Sequence, residues 1–296
     1  MKTKPETILV TGATGTVGSE VINQLLKSNT PVRIKAAVHL NGVVRKMGDD
    51  DGIETVPIDY NKPETLREAL SDVDKLFLLS RDFPRMVELT SNAITEAKKS
   101  GIKHIVRLSA KGAELKAESP SLRMHRQVEE IIEESGIPYT FLRPNEFMQN
   151  FVNLHSPSIK SNSAFYMAVG DAKVGIVDVR DIAAVAVQAL INSDEHYGRT
   201  YSITGREALS YYQIADILSE VTGKKVSYID LPEGEFRRAL REAGVDDWFI
   251  YVVLGMLDSY YRSGIAAQLF PAVEEVTGRK PITFAQFAKD YAEAFR

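Results

Sequence analysis

The 296-residue sequence contains no cysteine. Disulfides, thiolate nucleophiles, iron–sulfur clusters and the usual cysteine-bearing zinc sites are thereby excluded. No run of about 18 apolar residues occurs, which removes a membrane-spanning helix. The opening Met1-Lys2-Thr3-Lys4-Pro5-Glu6 has no signal-peptide core, so a cytoplasmic protein with no membrane association is expected. An excess of positive charge is also missing: 36 Lys and Arg stand against 40 Asp and Glu, a formal charge of -4. Such a balance creates no field to hold a phosphate backbone, so nucleic acid is not an expected partner. The five histidines, at 39, 104, 125, 155 and 196, lack paired metal-ligand spacing, and no metal site is expected. A Gly-x-Ser-x-Gly elbow is absent too, which argues against serine hydrolase chemistry. What is present is a globular composition, 44 % hydrophobic and 26 % charged, in a chain long enough for a large core or for two domains.

The first half alternates short apolar runs with amphipathic stretches, the rhythm of a parallel sheet covered by helices. Strands are predicted at Thr7 to Thr11, Val32 to Val38, Ile53 to Ile58, Lys75 to Leu79, His104 to Leu108 and Tyr139 to Leu142. Helices are predicted at Thr16 to Lys27, Pro63 to Leu70, Pro84 to Ser100 and Ser121 to Glu134. After Asn150 the rhythm loosens, leaving a short strand at Val174 to Val177 and a helix from Asp181 to Ile191. Tyr201 to Thr204, Tyr211 to Thr222 and Lys225 to Ile229 then read as a smaller α/β cap, with a closing helix near Thr283 to Phe295. The expected fold is α/β: a Rossmann-type doubly wound parallel sheet with a smaller C-terminal α/β cap. The dinucleotide-binding domain is assigned to 1–150 with a returning segment near 174–192, and the cap mainly to 151–296.

Directly after the first strand stands Gly12-Ala13-Thr14-Gly15-Thr16-Val17-Gly18, and a helix follows. A strand-to-helix turn aims unpaired backbone N–H groups and the positive end of the helix dipole at one point, which suits a pyrophosphate. Glycines there permit the tight turn and close approach of phosphates. A merely structural Gly-rich turn is the competing reading. The lysine of a nucleotide-hydrolase P-loop is missing, which disfavours ATP or GTP hydrolysis. From Val21 through Gly48 there is no Asp or Glu to grip a ribose 2′-hydroxyl, whereas Arg33, Lys35, His39, Arg45 and Lys46 occur. That pattern favours NADP(H) over NAD(H), with a solvated basic face as the alternative.

On these residues the chain resembles the NmrA-like group of atypical short-chain dehydrogenase/reductases, particularly NADPH-dependent quinone and triphenylmethane-dye reductases. The resemblance spans nearly the whole length. It is carried by Val10 to Gly15, Asp59-Tyr60, Gly101 to Ile105, Ile137 to Asn145 with Phe147 to Asn150, and Val179 to Ala183. It implies that Gly12 to Val17 hold the pyrophosphate, that Asp59 and Tyr60 border the adenine, and that Leu79, Ser80 and Arg81 line the ribose. Asn145, Glu146 and Phe147, within the stretch to Asn150, would face the nicotinamide. The position commonly Arg in such NADPH reductases is His39 here, which leaves NAD(H) open. Glu146 places a negative charge in that stretch, either reshaping the pocket or pointing to solvent.

No Tyr-x-x-x-Lys pair, used by many relatives of this superfamily, occurs among the 12 tyrosines. At the corresponding helix stand His125 and Glu129, one turn apart, so that Glu129 would orient or charge a proton-donating His125. A surface His–Glu pair is the alternative. Ser109 and Lys111 follow the fifth strand, at the sheet edge where open α/β sheets bind ligands. Ser109 as a loop cap and Lys111 as an exposed lysine compete with catalytic roles, and Arg81 with Asp82 reads as a local ion pair. The late stripe through Trp248, Phe249, Val252, Val253, Met256, Leu257 and Tyr260 is expected mainly in the core. Part of it, with Tyr261 and Phe270, is a candidate wall for flat aromatic acceptors. The expected activity is NAD(P)H-dependent hydride transfer to a small organic acceptor such as a quinone. A non-catalytic dinucleotide sensor and a nucleotide-sugar epimerase are the other readings, and a homodimer is allowed but not specified.

Overall fold

The computed structural model describes residues 4–39, 53–80, 84–114 and 116–296. Arg81, Asp82, Arg45 and Lys46, singled out above, lie outside these. In chain order the first elements are β1 (Glu6–Val10), α1 (Thr16–Lys27), β2 (Val32–His39), β3 (Ile53–Ile58), α2 (Pro63–Ala69), β4 (Lys75–Leu78), α3 (Met86–Lys99), β5 (His104–Leu108), α4 (Pro120–Ser135) and β6 (Tyr139–Pro144). There follow α5 (Ser156–Asn162), β7 (Ala164–Met167), β8 (Lys173–Val174), α6 (Val179–Ile191), α7 (Ser193–His196), β9 (Arg199–Ile203), β10 (Leu209–Ser210), α8 (Tyr211–Thr222) and β11 (Ser227–Asp230). The chain closes with α9 (Glu233–Glu242), α10 (Asp247–Met256), α11 (Ala272–Thr277) and α12 (Phe284–Asp290), and π-helical turns lie at Phe151–His155 and Leu257–Arg262. The chain divides into two compact units, Met1–Ala113 with Met124–Arg143 and Ile182–Tyr201, and Glu114–Arg123 with Pro144–Asp181 and Ser202–Arg296.

The main sheet has seven strands in the order β3-β2-β1-β4-β5-β6-β9. Its first six strands pair in parallel, with Ile8 opposite both Ile34 and Lys75. Central strands covered by helices on both faces must be apolar throughout, and Ile8, Leu9 and Val10 are at most 2 % exposed. Helix α1 turns Val17, Val21, Ile22 and Leu25 onto the sheet. The strand order reverses between β1 and β4, the switch point outside whose carboxyl ends open α/β sheets bind ligands.

Several expectations are corrected. The stretch predicted as Tyr201 to Thr204 in the cap is β9, the seventh strand of the main sheet. Gly198 N–H donates to Tyr139 C=O (2.7 Å) and Asn145 N–H to Ile203 C=O (2.9 Å), so β9 runs beside β6. Helix α6 brings the chain there, burying Ile182, Val185, Ala186 and Ala189 completely. The strand predicted over Val174 to Val177 shrinks to β8, because the Gly175 N–H donates to Ala266 and Val177 N–H to Glu146 instead of continuing a ladder. The serine-rich stretch after His155 is helical: Pro157 sits in the first turn, where its missing N–H costs nothing, and Ser163 closes the helix in the left-handed region. Strand β7, unpredicted, pairs in parallel with β11. The closing helix stops at Asp290, capped at its start by Thr283.

Candidate functional site

In the first unit the chain leaves β1 through Thr11, whose hydroxyl stands 3.0 Å from Phe77 C=O and accepts Leu79 N–H at 2.7 Å. The loops after β1 and β4 are thus tied together. Gly12 is left-handed (φ +63°), and a Cβ on it would lie 3.0 Å from Leu79 Cδ2. A Cβ on Gly18 would lie 2.1 Å from Gly12 O, so α1 sits as close to the loop as a glycine permits. Gly15 N–H donates to Gly12 O at 2.9 Å, and Gly15 stands at the helix start without a side-chain cap. Thr14, Gly15 and Thr16 are exposed. The first N–H groups of α1, which have no intrahelical acceptor, therefore face an open, side-chain-poor surface. That surface fits a dinucleotide pyrophosphate.

The neighbouring strand ends add positioned groups. Tyr60 donates its hydroxyl to Leu79 C=O (3.0 Å), while Asp59 accepts Asn61 N–H (2.9 Å), and that backbone bond holds its carboxyl below the usual range. His39 is exposed at the end of β2, opposite Ile58, and its charge also favours the Asp59 carboxylate. Arg107 of β5, unnoticed in the sequence, is wholly buried and donates to Ser80 Oγ (2.9 Å) and to the Leu78 and Leu108 carbonyls. Its guanidinium fixes the hydroxyl of a residue expected at the ribose. A charged residue inside the buried strand His-Ile-Val-Arg-Leu was the available signal.

Lys111 is only 4 % exposed, which corrects the surface-lysine alternative, and burial lowers its ammonium to about 8. Ser109 is buried with its N–H on Leu142 C=O (2.7 Å), and its Oγ has no hydrogen-bond partner among the described residues. It caps no loop. His125 Nδ1 is likewise buried without a partner, and burial, with the Arg107 and Arg143 charges, lowers the ring to about 3. The Glu129 carboxylate, fully buried, is held instead by Arg143 (2.9 Å) and Arg126 (3.1 Å). Glu129 therefore does not charge His125, which is neutral at pH 7 and has no imidazolium proton to give.

In the second unit Asn145 is buried, accepting from Tyr260 Oη (2.7 Å) and donating to Ala266 C=O (2.8 Å). Glu146 accepts on Oε2 from Tyr211 Oη (2.6 Å) and Tyr261 Oη (3.0 Å). Phe147 bridges to Val177. Tyr211 is placed by a reciprocal cap, in which Ser210 and Gln213 exchange side-chain and backbone bonds at the start of α8. The π-helical turn after α10 lets consecutive tyrosines, 260 and 261, reach consecutive residues, 145 and 146. Loss of bulk water pushes the Glu146 carboxyl up, against the pull of the two phenols and Asn150.

Glu146, Asn150 and Tyr261 are among the polar lining of a cavity of about 760 Å³ whose apolar wall includes Leu154, Met167, Phe236, Phe249, Val253 and Met256. Trp248 and Phe270 are not among its lining residues, while Val252, Leu257 and Tyr260 are core. Of the expected residues, Gly12 to Val17, Asp59, Tyr60, Leu79 and Ser80 thus belong to the first unit. Asn145 to Phe147 stand in the second with the three tyrosines, none of which had been connected with them.

A doubly wound sheet with a glycine cradle at its switch point, carried with an apolar, ligand-sized cavity, defines an NAD(P)-binding Rossmann-like protein. The family model described as the NmrA-like family matches residues 4–271, and the chain belongs to that family. It is 35 % identical over 288 residues to the NAD(P)H azoreductase of Xenophilus azovorans, covering 97 % of this chain and 99 % of that one. The NADPH-dependent quinone oxidoreductase of Escherichia coli, solved with NADPH, matches with TM-score 0.85 and 28 % identity over 96 % of this chain and 99 % of that one. The triphenylmethane reductase of Citrobacter sp., solved with NADP(H), gives 0.84 and 29 % over 96 % and 99 %.

Proposed function

We propose that this protein is an NAD(P)H-dependent oxidoreductase that transfers hydride to a small conjugated aromatic acceptor of the azo or quinone class, held in the cavity of about 760 Å³. The observation that carries this reading is the 35 % identity to an azoreductase over nearly the full length, in a chain that keeps the glycine cradle. NADP(H) is the favoured cofactor and NAD(H) the alternative. Residues 1–150, with the return near 174–192, bind the dinucleotide, and 151–296 mainly bind the acceptor. The protein works in the cytoplasm on a dissolved small molecule, without nucleic acid, and a homodimer is compatible with this role.

The bound cofactor supplies the hydride; the chain aligns the partners and excludes water. N–H groups of Gly12 to Val17 hold the pyrophosphate, Asp59 and Tyr60 border the adenine, and Leu79 and Ser80 line the ribose. His39 meets a 2′-phosphate, and Asn145, Glu146 and Phe147 face the nicotinamide side. Ser109, Lys111 and neutral His125 are the catalytic candidates of the first unit. The cavity lies within the roughly 300–1,000 Å³ range of small-molecule sites, and its apolar wall suits flat rings. The test follows oxidation of NADPH and NADH by the purified protein with and without azo and quinone acceptors. Acceptor-dependent oxidation is expected; binding of both cofactors with oxidation of neither would turn the reading toward a dinucleotide sensor.

A further inference from the structure

Hydride transfer alone leaves an acceptor one proton short, and in the second unit one cavity-lining carboxyl is arranged to provide it. Both phenols bonded to Glu146, from Tyr211 on α8 and Tyr261 on the π-helical turn, reach the same oxygen, Oε2. The carboxyl is thereby fixed in orientation beside the apolar wall of the cavity. We propose that Glu146 is the proton donor to the reduced acceptor, with Tyr211 and Tyr261 as its positioning residues. This rests on the reductase reading above.

For an azo acceptor the step balances as follows. Hydride adds to one nitrogen, the N=N bond becomes N–N, and an electron pair remains on the second nitrogen. The Glu146 O–H bond then breaks as an N–H bond forms there, and solvent water reprotonates the carboxylate. Burial supports a carboxyl that keeps its proton beyond the ordinary range. The other titratable groups lining the cavity are His155, Tyr166, Glu235, Arg238 and Glu242. His155, lowered to about 4 by burial, is uncharged at neutral pH and does not compete as a donor.

The need for a donor grows with the basicity of the anion that hydride leaves behind, which is high for an azo nitrogen and low for a hydroquinone oxygen. Glu146→Gln keeps shape and an acceptor for the phenols but carries no acidic proton. Its kcat is expected to fall about 100-fold with azo acceptors, within the usual span for acid–base catalysis, and progressively less as the reduced acceptor becomes a weaker base. Wild-type kcat falls as pH rises through the Glu146 pKa, and the variant lacks this limb. An independent readout uses protein without cofactor or acceptor: the infrared carbonyl band of a protonated carboxyl, identified by difference against Glu146→Gln, persists above the ordinary carboxyl range. Tyr261→Phe removes a bond that favours the charged form and moves the loss of that band to higher pH, and it carries the test if the Gln variant fails to fold. Equal loss with every acceptor, or a band that disappears in the ordinary carboxyl range, overturns the proposal while leaving the reductase reading intact. A wild-type protein that turns over no acceptor overturns both.

Discussion

Gly18→Ala is the sharpest test of the cradle, because the added methyl has nowhere to go. Its Cβ would stand 2.1 Å from Gly12 O and 2.6 Å from Gly12 C, both backbone atoms. Gly12 cannot swing aside freely: its oxygen accepts Gly15 N–H at 2.9 Å, and the space where a Cβ would stand on it is closed by Leu79 Cδ2 at 3.0 Å. Helix α1 must therefore retreat by roughly 1 Å to restore van der Waals separation. Overpacking of this kind costs about 1–3 kcal/mol, and the better helix propensity of alanine returns at most about 1 kcal/mol. With about 1 kcal/mol returned, the net loss reaches about 2 kcal/mol, which corresponds to a Tm lower by as much as roughly 4–8 °C in a protein of this size. On the proposed cofactor site, retreat of the helix would also take its N–H groups off the pyrophosphate. Losing one bond to a charged group costs about 1.5–3 kcal/mol, so NADPH affinity should fall more than tenfold. Circular-dichroism melting and calorimetric titration with NADPH measure the two effects. Gly136→Ala is the control, since it meets no atom within 4 Å and differs only in its left-handed φ of +75°; it should leave NADPH affinity alone. Wild-type Tm and affinity in Gly18→Ala would refute the reasoning.

Glu129→Gln removes the buried carboxylate that holds Arg143, while Arg126 keeps Glu133 (2.8 Å), and leaving the Arg143 guanidinium without its carboxylate should cost about 3 kcal/mol in urea unfolding; a change below about 0.5 kcal/mol would show that Arg143 re-solvates freely. Burial lowers His104 and His125 to about 3 and His155 to about 4, all below their unfolded value near 6.5. The unfolded chain then binds more protons between these limits, so stability is full above pH 6.5 and declines as pH falls toward 3. Tm measured from pH 7 to 4.5 should drop, less so in His155→Phe, and a flat profile would contradict the burial of these rings. His39→Asp puts an anion at the end of β2, where it should repel a 2′-phosphate and favour the ribose diol of NADH. The ratio of NADPH to NADH dissociation constants should rise at least tenfold, and an unchanged ratio would remove His39 from the cofactor site.

Much of the first half of the fold is legible in contiguous residues. Ile53–Ile58, His104–Leu108 and Thr16–Lys27 fall where apolar alternation and helical spacing put them. Their signals are local, and burial on both faces of a parallel sheet reinforces them. Past Asn150 the local signals weaken. Arg199–Ile203 becomes a strand of the main sheet only because α6 delivers it beside β6. Val174 to Val177 looks like a strand by itself, yet its Gly175 and Val177 N–H groups find acceptors at Ala266 and Glu146, outside any strand. Glu129 looked like the natural partner of His125 one turn away, but two arginines reach it first, one of them from β6.

By itself the sequence determined the strand–glycine–helix unit, the run from Val21 to Gly48 without Asp or Glu, and the family resemblance, because each resides in short runs of neighbouring residues. Tertiary structure alone decided that Arg107 orders Ser80, that Lys111 is buried, and that Glu146 meets Tyr211 and Tyr261 across separations of 65 and 115 residues. No periodicity encodes such meetings. They arise when distant segments pack and their polar groups, cut off from water, must find partners in one another.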